Sequence, residues 1–133
     1  MNRSDRLWEH FRFALEGLGH ALRTQRTFRI QAVTAVAVVV LSALLRVSPS
    51  QAALLLLAIF MVLAGEVFNT AIEALVDLST PEPHPKAKIA KDLAASGVLL
   101  LALCAALVGI LILGPPLLDR LGGFVSSFSS PAR

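Results

Sequence analysis

The sequence predicts an all-α membrane protein, with an amino-terminal amphipathic surface helix followed by three transmembrane helices. Three observations carry that prediction. Of the 133 residues, 56% are hydrophobic and the mean hydropathy is +0.73, well above what a soluble domain of this size usually holds. The apolar residues gather into three stretches separated by short polar connections. The lysines and arginines fall unevenly on the two ends of those stretches, as they do around membrane spans.

The length suits one membrane-embedded domain over residues 1–133. In segment 4–24, Leu7, Trp8, Phe11, Leu15, Leu18 and Leu22 recur at helical spacing with Arg6, Glu9, Arg12 and Glu16 between them. This is the pattern of a helix that lies at the membrane surface and packs against the bundle. The segment lacks the short apolar core and small-residue cleavage site of a signal peptide, so it is expected to remain in the mature protein. The first span covers 28–45. Ser48 and Pro49 then make a tight turn that reverses the chain into a second span, 51–77 with a polar extension. A loop over 78–92 leads to the third span, 93–113, long enough to cross a hydrocarbon core about 30 Å thick. Pro115 and Pro116 are expected to end it, leaving a weakly structured tail, 114–133.

Arg3, Arg6, Arg12, Arg23, Arg26, Arg29, Lys86, Lys88 and Lys91 fall on one side of the spans, and Arg46, Arg120 and Arg133 on the other. The positive-inside rule therefore puts the amino terminus and the 78–92 loop in the cytoplasm and the carboxyl terminus outside. A formal charge of +3 spread around apolar stretches fits anionic lipid headgroups, and no motif of a nucleic-acid reader is present. The single cysteine, Cys104, sits in an apolar run and reads as a packing residue.

The unusual stretch is GEVFNTAIEALVD, residues 65–77, which continues the second span without a turn signal. Offsets of 3, 7 and 11 residues from Glu66 put Asn69, Glu73 and Asp77 within an arc of about 80° on one helical face. Glu66 comes 15 residues after Gln51 and so lies inside the apolar layer, whereas Glu73 is about 10 Å further along the axis, near the headgroups. A carboxylate at the depth of Glu66 is costly and asks for a function. It can take a proton from a hydroxyl presented from the bilayer, while Glu73 with Asn69 offers hard oxygen ligands to Mg²⁺. Asp77 reads equally well as a solvated helix end.

Beyond it, Pro81, Pro83 and Pro85 read as an extended loop, after which Lys86, Lys88 and Lys91 restart a helix with Asp92. Lysines facing carboxylates suit a polyphosphate held with its metal, although orientation alone also asks for lysines here. His84 has no second ligand at metal spacing. No glycine-rich phosphate loop followed by Lys-Ser/Thr occurs, so an ATP-using enzyme built on this chain is not a P-loop protein.

Taken together, GEVFNTAIEALVD, AKIAKDLAASGVLL and FALEGLGHALRTQRTFRIQ resemble the small integral-membrane lipid kinases of prokaryotes, the diacylglycerol kinase and undecaprenol kinase family, over about Arg6 to Leu113. The resemblance implies transfer of the γ-phosphate of ATP to a primary hydroxyl of a membrane lipid, with Mg²⁺, by a homotrimeric bundle in the prokaryotic inner membrane whose sites form between subunits at the cytoplasmic surface. It makes Glu66 the general base, Glu73 a metal ligand and Asn69 a supporting residue beside Asp77. Nucleotide contacts carry over to Lys91 and Asp92, to Glu82, Pro83 and His84 by position, to Phe13, and to Arg6 as a weaker match. Ala64, Gly65, Ala71 and Ala74 would permit close helix approach. One departure stands out: Gln25 occupies a position where many members carry a glutamate that binds metal and nucleotide, and it offers only a neutral carbonyl oxygen. The HPKAKIAKD segment looks more like the undecaprenol branch than the diacylglycerol branch. Two other classes compete: a small proton-coupled transporter using Glu66, and a regulatory membrane subunit using the stripe for helix pairing.

Overall fold

A computed structural model describes the backbone of residues 3–80 and 82–129 and the side chains of 7–80 and 82–123. Among these residues there are four helices and no strand: α1, Arg3–Thr24; α2, Arg26–Leu45; α3, Pro49–Ser79; and α4, Pro85–Ser129. The last three are each long and apolar enough to cross a membrane. The chain is an all-α membrane protein.

Only Gln25 separates α1 from α2. Its backbone is extended (φ −99°, ψ 116°), yet its amide still donates to the Ala21 carbonyl and its own carbonyl accepts from Arg29 N–H. The junction therefore turns the chain without orphaning its backbone groups. Leu7, Trp8, Phe11 and Leu15 on α1 are exposed, with Trp8 stacked on Phe11 at 6.2 Å between ring centroids. The aromatic stripe faces away from the bundle, and among the described side chains of α1 Ala21 is the buried one. A stripe of that kind is suited to a lipid interface.

The α2–α3 turn closes with matched caps. Arg46 adopts the left-handed conformation (φ 54°), and N–H groups of Arg46 and Val47 return to the carbonyls of Ala43 and Ser42, which satisfies the helix end. Ser48 Oγ accepts from Gln51 N–H at 3.3 Å while Gln51 Oε1 accepts from Ser48 N–H at 2.9 Å, with Pro49 at the first helical position. That is a complete capping box, and it fixes where α3 begins. Leu45, Leu55, Ile112 and Leu113 form the small core beside this turn.

α3 has 31 residues, a length of about 46 Å, so it overruns a hydrocarbon layer of about 30 Å by roughly three turns. It lies along α4, and the two helices approach closely at Gly65. A Cβ there would stand 2.6 Å from Leu101 Cδ1. Of the four small residues expected to permit close packing, Gly65 makes a contact of this kind within the chain, whereas Ala64, Ala71 and Ala74 are exposed.

Two boundaries differ from the sequence reading. The polar loop is shorter, because Pro85 begins α4 instead of extending the loop; proline at a first helical position loses no helical hydrogen bond and brings a ready-made φ. At the other end, α4 continues through Pro115 and Pro116 to Ser129, so the tail is helical as far as it is described. The prolines remove the amides that would reach the Leu111 and Ile112 carbonyls, and their rings crowd those same carbonyls, so the helix carries them at a cost. Gly114, with no Cβ, relieves the crowding that Pro115 imposes on the residue before it, whereas Pro115 stays helical before Pro116 without that relief.

Candidate active site

The acidic face of α3 is divided by depth and by partner. Glu66 is 4% exposed, and its Oε1 accepts from Gln31 Nε2 of α2 at 3.1 Å. One turn on, Asn69 Nδ2 donates to Glu73 Oε1 at 2.9 Å, with both side chains half-buried. Asn69 Oδ1 is buried and has no donor among the described residues. Asp77, a further turn out, is exposed and pairs with Lys91 Nζ of α4. The helix thus carries one buried carboxylate held by a neutral amide, one half-buried carboxylate beside an unpaired amide oxygen, and one solvated carboxylate tied to a lysine.

Lys91 and Asp92 lie in the first turns of α4, where Asp92 pairs with Lys88 at i, i+4. Together with Asp77, Glu82, Pro83 and His84 they line a cleft of about 590 Å³ between the end of α3 and the start of α4. His84 also caps α4, since its Nδ1 accepts from Lys86 N–H at 3.2 Å and its carbonyl accepts from Lys88 N–H. The cleft combines two lysines, each paired with a carboxylate, with Glu82 and a proline-held backbone, a charged lining suited to a water-borne ligand.

The structure brings six of the expected site residues into that cleft. Glu66, Asn69 and Glu73 share the inward face of α3 but do not line it, nor do Phe13 and Gln25. Phe13 is exposed on α1 with the Arg12 guanidinium 5.2 Å from its ring centroid. Gln25 is half-buried at the α1–α2 junction, with no capping hydrogen bond from its side chain. The side chain of Arg6 lies outside the described residues.

A second hollow opens on the apolar side. A groove of about 540 Å³ runs between α2, α3 and α4, lined by aliphatic residues such as Leu55, Val62, Ala106 and Leu117, with Gln31 and Thr34 as its polar members. Its α4 wall extends from Ala102 to Leu117, about 22 Å. Gln31 is the residue whose role sequence reasoning missed. A glutamine three residues into an apolar span needs a polar partner, and Glu66 is the polar group at matching depth on the next span.

Residues 12–113 match the family described as prokaryotic diacylglycerol kinase. A diacylglycerol kinase of Synechocystis is 46% identical over 110 residues, which are 82% of this chain and 63% of that protein, so the chain spans less than two thirds of that relative. An undecaprenol kinase of Bacillus subtilis is 37% identical over 116 residues, 87% of this chain and 94% of that protein. A diacylglycerol kinase of Escherichia coli K12 is 30% identical over 101 residues, 76% and 83% of the respective chains. With its three membrane-length helices and a carboxylate buried on the second, the chain belongs to the prokaryotic diacylglycerol kinase family.

Proposed function

We propose that the protein transfers the γ-phosphate of ATP to the primary hydroxyl of a membrane lipid, undecaprenol in the first reading, at a site on the cytoplasmic side of the membrane. The observation that carries this is the separation along α3: a buried carboxylate, Glu66, near the end of an apolar groove, and Asp77 further out in a charged cleft. A lipid alcohol and a nucleotide arrive from different media, and this helix meets each with the appropriate chemistry. The cytoplasmic orientation rests on the nine basic residues that flank this end of the spans.

In this reading Glu66 accepts the hydroxyl proton as the lipid oxygen attacks phosphorus in line. Lys91, Asp92 and the Glu82–His84 loop hold the nucleotide, with Phe13 and Arg6 from α1 contributing from a neighbouring subunit of a homotrimer. Glu73 and Asn69 fit Mg²⁺: one carboxylate with an oxygen to spare and one buried amide oxygen without a donor are hard ligands of the kind that ion shares with phosphates. Mg²⁺, when bound with ATP, neutralises charge on the phosphoryl oxygens. Gln25 adds a neutral oxygen to that set.

Diacylglycerol is the second reading, favoured by the higher identity of the Synechocystis relative; undecaprenol is favoured by the HPKAKIAKD segment and by near-complete coverage of the Bacillus protein. An aliphatic groove discriminates poorly between long chains, so some activity on both is expected. Radiolabelled ATP supplied with undecaprenol and with diacylglycerol in parallel tests the reading. Faster labelling of undecaprenol supports it, equal rates remove the branch assignment, and labelling of neither lipid removes the kinase.

A further inference from the structure

Glu66 is the one buried charged side chain among the described residues, and no cation there lies within ion-pair distance of it. Its side-chain partner among those residues is neutral: the Gln31 amide, 3.1 Å away across the α2–α3 interface. A neutral donor orients a carboxylate without cancelling its charge, which a proton acceptor needs and a lysine partner would not leave. Gln31 is not there for its own satisfaction. Its Oε1 is buried with no donor among the described residues, an arrangement that costs more than an aliphatic side chain of the same size would. The same side chain lines the apolar groove, next to the turn of α3 on which Leu63 lines it and Glu66 follows.

Resting on the lipid-kinase reading, we propose that Gln31 is a positioning residue for Glu66: its N–H occupies Oε1 and fixes the carboxylate, leaving Oε2 as the free acceptor for an alcohol whose chain lies in the groove. The lipid O–H proton passes to Oε2 as the bond from lipid oxygen to γ-phosphorus forms. The bond from that phosphorus to the bridging oxygen breaks, and ADP leaves with the electron pair. Gln31 lies outside the charged cleft and adds only one polar group to the aliphatic groove, so removing its N–H at constant volume should act on the chemical step more than on the binding of either substrate.

The test compares kcat and both KM values of the full chain in lipid–detergent micelles for wild type, Gln31→Met and Gln31→His, using radiolabelled ATP and undecaprenol or diacylglycerol. Methionine keeps the volume and removes the donor; histidine returns an N–H of similar reach. Gln31→Met is expected to lower kcat about tenfold or more with each KM within about threefold, and Gln31→His to recover most of that loss. Should Gln31→Met not accumulate, Gln31→Leu carries the same expectation, with binding of a non-hydrolysable ATP analogue reporting an intact fold. A kcat for the Met variant within threefold of wild type, a loss confined to the lipid KM, or a His variant no better than Met would overturn the proposal. Wild type that labels neither lipid would instead remove the lipid-kinase reading itself, before any variant is compared.

Discussion

At Gln25 the resemblance leads one to expect a metal-binding glutamate, and its replacement by an amide has a measurable consequence. A neutral amide oxygen draws Mg²⁺ less strongly than a carboxylate. If Gln25 faces the metal, Gln25→Glu should lower the Mg²⁺ concentration giving half-maximal activity several-fold; an unchanged titration removes Gln25 from the site. At the Lys91–Asp77 pair, the exposure of Asp77 limits the stabilising effect to about 0–1 kcal/mol. Lys91→Met is therefore expected to raise the KM for ATP while leaving the unfolding midpoint nearly unchanged. A large loss of stability with ATP affinity retained would make the lysine a structural residue. The carboxylates are legible in the sequence because helical spacing puts them on one face, but their partners are not. Gln31 meets Glu66 only when α2 and α3 lie side by side, and periodicity along one helix carries no information about its neighbour.

For the elements, the starts of the spans are clearer in the sequence than their ends. Ser48, Pro49 and Gln51 announce the start of α3 through local chemistry alone, and Ser48→Ala should cost about 1 kcal/mol in a denaturant titration of the micellar protein. The end of α4 is not legible in the same way, because a proline pair reads as a stop whereas the helix carries both prolines and continues to Ser129. The α3–α4 contact makes another prediction. Gly65→Ala forces Leu101 to move, since the new methyl would stand 2.6 Å from its Cδ1. Because Cδ1 is the far end of a flexible side chain and alanine is the better helix former by about 1 kcal/mol, the net cost should stay below about 1 kcal/mol and should shrink further when Leu101→Ala is added. Additive losses would show that the two residues do not meet.

At the scale of the whole molecule, few side chains are buried. Among the described residues the core is seven apolar side chains, while apolar groups along every helix stay uncovered by the chain itself, which accords with lipid or further copies covering them. Three spans and the surface helix are readable from composition and charge. The site as a whole is not, because Phe13 and Gln25 do not meet the cleft of their own chain. Completion by a neighbour in a trimer predicts a protein mass in micelles of three copies of the 14.2 kDa chain. A monodisperse monomer that phosphorylates lipid at full rate would refute shared sites.

The claim on which the rest depends is that Glu66 takes the proton of a lipid hydroxyl. Its most direct test is the recovery of radiolabelled phosphate in extracted lipid after incubation with labelled ATP and Mg²⁺, comparing wild type with a Glu66→Gln variant that folds and binds nucleotide normally. The account predicts labelled lipid from wild type and at least about a hundredfold less from the variant. Comparable labelling by the two proteins would contradict it.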